Sequence, residues 1–237
     1  MTRRRWIADQ VSGNRAILVG SHAKHLSRVL RAKVGQEFDI ATGTTARRGT
    51  ISSISSDQIE FDLGDEVPAV AALNITLALS IFKFDRMEWA IEKCTEMGVA
   101  QIIPLIAQRS ESHLVAAAFK RVERWKKIAK QASEQSRRAT VPELSSPTDL
   151  KELVSFATGL RILLAEGEQQ SSLAEILNSG GDGQPVTLAC GPEGGWTKAE
   201  LDIFRDAGWI PVSLGPTILR AETAAIAALA VVLSRLR

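Results

Sequence analysis

Beyond residue 72 the chain repeats one pattern: a short apolar run, a turn, then a stretch whose apolar residues lie three and four apart. The apolar runs fall at residues 73–80 (LNITLALS), 100–106, 161–165 (RILLA), 185–190 and 209–214. Runs of this length between turn residues predict buried strands. Residues 86–98 place Met87, Ala90, Ile91, Cys94 and Met97 on one helical stripe, and Gly98 marks its stop. Residues 116–138 predict a longer amphipathic helix with Phe119, Val122, Trp125, Ile128, Ala129 and Ala132 facing inward. Residues 140–149 read as a connecting loop, 150–156 and 171–178 as short helices, 166–170 as a polar loop and 180–183 (GGDG) as a surface turn. Five strands alternating with helices predict a mostly parallel sheet covered on both faces.

The first 72 residues keep a different period. Residues 58–63 (QIEFDL) alternate polar and apolar strictly, the mark of a strand with one wet face. Residues 16–19, 35–40 and 47–54 also predict short strands, and 22–30 a helix with Leu26, Val29 and Leu30 on one side. Strands this short and this closely spaced suit a compact β-barrel. Residues 66–72 (EVPAVAA) then form a linker. The expected division is therefore a β-rich domain over residues 1–72 and an α/β domain over 73–237.

Composition bounds the class. Charged residues make up 24% and hydrophobic residues 45%, as in ordinary soluble globular proteins. The longest small-residue apolar stretch, 224–233, is half of the roughly 20 residues a membrane helix needs. The basic N-terminus has no apolar segment behind it, so it does not read as a secretory signal. Cys94 and Cys190 lie far apart, and His22, His25 and His113 form no metal motif. A cytoplasmic protein without a metal is expected. The net charge of +2 conceals an asymmetry. Residues 1–50 hold ten lysines and arginines against three acids, whereas 51–72 hold five acids and no base. The predicted helix at 116–138 is also basic over its second half. Two basic segments on a near-neutral body point to a polyanionic partner, although each alone is also compatible with a solvated surface.

The densest candidate chemistry lies at residues 185–223. Two apolar strands each stop in a Gly-Pro turn, at Gly191-Pro192 and at Gly215-Pro216. Thr197 and Glu200 have the spacing of a capping box, which starts a helix after the first turn. Ligands of open α/β sheets bind past the carboxyl ends of the strands, so two such turns suggest one small-molecule site. No GxGxxG follows the first strand, and no P-loop motif occurs. No GxSxG elbow is present, and no histidine follows His113 to complete a hydrolytic triad. What remains is a ligand held by backbone groups of glycine-rich turns, with Leu214, Ile218 and Leu219 around it. That mixture suits an adenine-bearing cofactor.

Residues 191–200 (GPEGGWTKAE) and 214–224 (LGPTILRAETA) closely resemble the two signature loops of the RsmE-type methyltransferases. These are knotted SPOUT enzymes that methylate N3 of a uridine in small-subunit ribosomal RNA. Residues 25–31 (HLSRVLR) resemble that family's N-terminal motif. Lys83, Arg86-Met87-Glu88, Lys93, Glu96-Met97-Gly98, Arg109-Ser110, Trp125, Glu134-Gln135 and Arg137 resemble its middle motifs. Ala221 departs from the pattern, which has threonine there. The resemblance implies a PUA-like RNA-binding β-barrel, then a SPOUT domain with a C-terminal deep trefoil knot, acting as a homodimer. It implies S-adenosyl-L-methionine as cofactor, contacted by Leu164, Ala165, Gly191, Glu193, Gly194, Leu214, Gly215, Ile218 and Leu219. The substrate implied is 16S rRNA of the small subunit, modified at uridine 1498 in the family's name. The alternative is an RNA-binding module without catalysis.

Uracil N3 must lose its proton before it attacks a methyl group, so a base or an anion-stabilising cation is needed. Arg220 either meets the uracil or braces its loop by pairing with Glu222 or Glu193. Glu222 is either a base or a helix-start acid favoured by the dipole. Arg3, Arg4, Arg5, His25, Arg28, Arg31, Lys83, Arg86, Arg137 and Arg138 are the candidate RNA contacts, chiefly to phosphate.

Overall fold

In the computed structural model, which describes residues 5–69, 72–167, 171–179 and 183–235, the first strand is Arg5–Ile7 (β1). Arg3 and Arg4, residues 168–170 of the polar loop, residues 70 and 71 of the linker and most of the 180–183 turn lie outside the described residues. Two units emerge: Met1–Ala72 with Lys130–Val141, and Leu73–Ala129 with Pro142–Arg237.

The first unit continues with Gln10–Ser12 (β2), Arg15–Val19 (β3), Gly20–Lys24 (α1), a π-helical turn at His25–Val29, Glu37–Ala41 (β4), Ala46–Ile54 (β5) and Gln58–Val67 (β6). They make a six-stranded curled sheet in the order β1-β4-β5-β6-β3-β2. β1 runs parallel to β4, and the other pairings are antiparallel. The alternation of residues 58–63 is realised: Ile59, Phe61 and Leu63 join Trp6, Leu18, Leu26, Ile40 and Ile51 in one core. β6 runs past residue 63 because Ala46 and Arg47 of β5 pair with Val67 and Glu66. Those two residues are therefore strand rather than linker. The predicted helix at 22–30 widens into the π turn, where Leu30 N–H bonds the His25 carbonyl at 3.1 Å.

The second unit contains Ile75–Ser80 (β7), Phe84–Glu96 (α2), Gln101–Ile106 (β8), Ser112–Gln135 (α3, whose end from Lys130 belongs to the first unit), Glu143–Leu144 (β9), Thr148–Asp149 (β10) and Leu150–Phe156 (α4). Leu160–Leu164 (β11), Leu173–Ser179 (α5), Val186–Cys190 (β12), Lys198–Asp206 (α6), Ile210–Val212 (β13) and Ala221–Arg235 (α7) complete it. The sheet is wholly parallel, ordered β10-β8-β7-β12-β11-β13, with β9 also on β8. β12 and β7 are almost entirely buried, as expected for strands covered on both faces. Two short strands, β9 and β10, occupy the span predicted as loop.

The long helix ends at Gln135, three residues before the predicted end. Arg137 adopts φ +61, Arg138 N–H bonds the Ser133 carbonyl at 2.9 Å, and Arg137 N–H reaches the Glu134 carbonyl at 3.4 Å. This is a Schellman ending with arginine where glycine is usual. Apolar periodicity could not reveal it, because the periodicity ends at Ala132. Within the second unit, Trp196, Phe204 and Trp209 stack edge to face, with centroids 5.0 and 4.9 Å apart. Such pairs add about 0.5–1.5 kcal/mol each beyond the area they bury. They fix α6 and the two turns flanking it. Among the described residues no helix is long and apolar enough to cross a membrane.

The chain order of the strands places the site. β8 and β10 extend the sheet to one side of β7. The chain then crosses over to lay down β11, and β12 fills the gap between β11 and β7. The carboxyl ends of β11, β12 and β13 consequently lie side by side, and their loops open into one crevice.

Candidate active site

A cavity of about 590 Å³ sits at those strand ends. Leu164 and Ala165 line it from the end of β11, Gly191, Glu193 and Gly194 from the turn after β12, and Leu214, Gly215, Ile218 and Leu219 from the turn after β13. All nine residues expected to contact a cofactor thus face one space, and Arg220 stands on its wall.

The turns are held by each other. The Trp196 indole donates to the Leu164 carbonyl at 2.9 Å, tying the end of β11 to the turn after β12. A β-carbon on Gly191 would come within 3.1 Å of that indole ring. Glycine therefore allows Trp196 to lie flat against the turn. Gly215 has φ +133, a conformation closed to other residues. The expected capping box forms in both directions: Thr197 Oγ1 accepts from Glu200 N–H at 3.3 Å, and Glu200 Oε2 accepts from Thr197 N–H at 2.8 Å. Glu200 is buried, and its other oxygen accepts from Gln108 N–H at 2.7 Å. That bond anchors the loop after β8 beside the site. In the same loop Arg109 lines the cavity and donates to the Gly194 carbonyl at 2.6 Å. Sequence reasoning placed Arg109 in a motif resembling the family's and just past a strand end, but not among the site residues.

The charges are arranged in a way the sequence did not foretell. Arg86, expected to meet RNA phosphate, lies in the cavity wall and donates to Glu193 Oε1. Its Nε is 3.7 Å from Glu222 Oε1. Glu222 is buried at the start of α7, and its Oε2 has no hydrogen-bond partner. Arg86 is thus a brace between the two turns, the role considered for Arg220. Among the described residues Arg220 itself makes no ion pair and its side chain is exposed. Cys190, at the floor, is fully buried, and burial raises its thiol pKa. It stays protonated and is no nucleophile. Cys94 is likewise pushed up to about 12 by burial.

The remaining RNA candidates separate. Lys83, Arg28 and Arg31 are exposed, Arg137 has 44% side-chain exposure, and His25 is half-buried with its ring 5.8 Å from Trp6. Arg5 and Arg138 are corrected: they are 1% and 2% exposed. Arg5 donates to the carbonyls of Arg137 and Pro68, and burial lowers its pKa. Burial also lowers Arg138 to about 10. Both are structural cations inside the first unit.

Fold and cavity together define a class: α/β proteins that hold a small ligand in glycine-rich turns at the ends of parallel strands. A family model described as RNA methyltransferase domain matches residues 70–233. Ribosomal RNA small subunit methyltransferase E of Rickettsia conorii is 30% identical over 230 residues, spanning 95% of this chain and 92% of that protein. The Bacillus subtilis protein of the same name is also 30% identical, over 91% of this chain and 88% of its own. The crystal structure of Ribosomal RNA small subunit methyltransferase E from Neisseria gonorrhoeae, bound to S-adenosyl methionine, superposes with a TM-score of 0.84 at 29% identity, covering 96% of this chain and 95% of that one. The chain belongs to the RNA methyltransferases, and within them to the small-subunit methyltransferase E family.

Proposed function

We propose that this protein transfers a methyl group from S-adenosyl-L-methionine to N3 of one specific uridine in 16S rRNA. The observation that carries this reading is the pairing of charges at the cavity. Glu193 and Glu222 are occupied by Arg86, while Arg220 stands on the cavity wall with no ion-pair partner among the described residues. A free cation at the mouth is what a uracil anion requires.

The cavity fits the cofactor. Its volume lies within the range of small-molecule sites, roughly 300–1,000 Å³. Leucine and isoleucine side chains suit an adenine, and the open glycine turns suit its polar tail. When bound, the cofactor supplies an electrophilic methyl on a sulfonium. The chain's task is then alignment and charge. Arg220 stabilises the oxygens of the uracil as N3 gives up its proton to solvent water. Glu222 faces Arg86 from a buried position, so it acts as a positioning carboxylate for that arginine. Arg86 in turn holds the turns after β12 and β13 at fixed separation. The first unit is read as a PUA-like barrel that carries RNA, with Arg28, Arg31 and Arg137 among its contacts. Lys83, in the second unit, adds a further contact. Residues 211–220 are read as threading an earlier loop to form the knot. The pairing of β13 with β11 and the bond from Ser213 N–H to the Ser171 carbonyl at 2.9 Å support that reading. A homodimer through the second unit and a cytoplasmic location complete the proposal.

Titration calorimetry with S-adenosylmethionine tests the cofactor assignment. One-site binding is expected, weakened by Gly215→Val. Absence of binding with or without RNA would leave only an RNA-binding module.

A further inference from the structure

Asp39 sits on β4 between two cross-strand arginines. Arg5 of β1 is its partner on one side and Arg48 of β5 on the other. Arg48 Nη1 lies 3.2 Å from Asp39 Oδ1, and Arg137 Nη2 donates to Asp39 Oδ2 at 3.1 Å. Arg5 lies 4.0 Å from Oδ2. Three guanidinium groups therefore share one buried carboxylate, leaving an excess of two positive charges. Arg5 is sealed inside, but the Arg48 and Arg137 side chains are 34% and 44% exposed. The excess is presented to solvent by these two: Arg137 is hydrogen-bonded to one oxygen of the carboxylate, and Arg48 lies at ion-pair distance from the other, which has no hydrogen-bond partner, so both are drawn to the same group.

The backbone is bent to achieve this. Arg137 occupies the left-handed position of the Schellman ending, where glycine would be unstrained. Its carbonyl is fixed by Arg5, so the residue's conformation and its guanidinium are set by separate contacts. A purely structural pair would be satisfied by one arginine on Asp39.

We propose that Arg48 and Arg137, spaced by Asp39, form a binding site for one phosphodiester of the RNA substrate. Guanidinium forks match phosphate oxygens in geometry as well as charge, and prior alignment on a carboxylate removes the entropy cost of ordering two long side chains. Asp39 is a positioning residue. Arg48 was not among the arginines singled out in the sequence. This inference rests on the reading of the protein as an enzyme that binds RNA.

The test measures binding of unmodified 16S rRNA transcript to the full chain across a salt series, for wild type, Arg48→Gln, Arg137→Gln and the double variant. Loss of one phosphate contact is expected to flatten the slope of log K against log salt by about 0.7–0.9. Each single variant is expected to weaken binding several-fold at low salt, with cofactor affinity unchanged and the protein still folded at the assay temperature. Phenylglyoxal modification of wild-type protein gives a readout that needs no variant: RNA, but not cofactor, is expected to protect Arg48 and Arg137. Wild-type binding with an unchanged slope in the double variant, or equal modification with and without RNA, would overturn the site alone. A wild-type protein that does not bind the transcript would overturn the RNA reading and this site with it.

Discussion

Arg86 Nε lies 3.7 Å from Glu222 Oε1, and the same guanidinium donates to Glu193. Three segments distant in sequence, α2, the turn after β12 and the start of α7, are joined by one side chain. Glu222 is buried with one oxygen lacking a hydrogen-bond partner, and Arg86 is its ion-pair partner. Removing one partner of such a pair costs more than the pair contributes.

Arg86→Gln is therefore expected to lower stability by about 1–3 kcal/mol and to weaken cofactor binding on the order of tenfold. Adding Glu222→Gln to it should restore part of the stability, because the uncompensated charge is gone. Thermal melts of the two single variants and the double variant measure the coupling. Strict additivity would mean that the two residues do not interact.

Arg220→Ala should leave cofactor affinity within about twofold while reducing turnover by roughly 10²–10³, the usual effect of deleting one preorganised donor to a developing anion. Arg220→Lys should recover part of the rate. Single-turnover methyl transfer at saturating cofactor separates this from a binding defect. Normal turnover in the alanine variant would remove Arg220 from the mechanism.

Gly191→Ala places a methyl group 3.1 Å from the Trp196 ring. The indole must move, and its bond to the Leu164 carbonyl must lengthen. Weaker cofactor binding is expected, with a red-shifted tryptophan emission as Trp196 becomes solvated. Unaltered affinity and emission together would show that the turn can yield without cost.

Much of this site was legible from residue spacing. The strand periods, the two Gly-Pro turns and the Thr197–Glu200 capping box each depend on neighbours within a few residues. What spacing could not show depends on long-range partners. Arg86 and Arg220 are both arginines near polar turns, yet only the fold gives Arg86 two carboxylates and, among the described residues, leaves Arg220 none. Arg5 looks like any basic N-terminal residue until β1 pairs with β4 and buries it. β1 and β2 are three residues each, too short to express a period. The end of α3 is set by the backbone of Arg137, a residue whose type argues against the conformation it adopts.

Stability should also report the bond between α2 and α3. Arg124 donates to both oxygens of Glu88 at 2.6 and 2.7 Å, and Arg121 donates to Oε1 at 3.2 Å. Hydrogen bonding and charge from Arg124 hold the Glu88 carboxyl below its ordinary value of 4.5. Its contribution is thus present above pH 4.5 and is lost as the pH falls toward the depressed folded value. Glu88→Gln should lower the melting temperature at pH 7 and shrink the difference from wild type below about pH 4. A difference independent of pH would show that the contact stabilises by packing alone.

The central claim is tested most directly by incubating the purified protein with S-adenosylmethionine and unmethylated 16S rRNA or small subunits, then mapping the product by mass spectrometry. The account predicts one added methyl group, on N3 of a single uridine, absent without cofactor and strongly reduced in Arg220→Ala. Methylation of a carbon or a ribose hydroxyl, or no transfer by a protein that binds both cofactor and RNA, would contradict it.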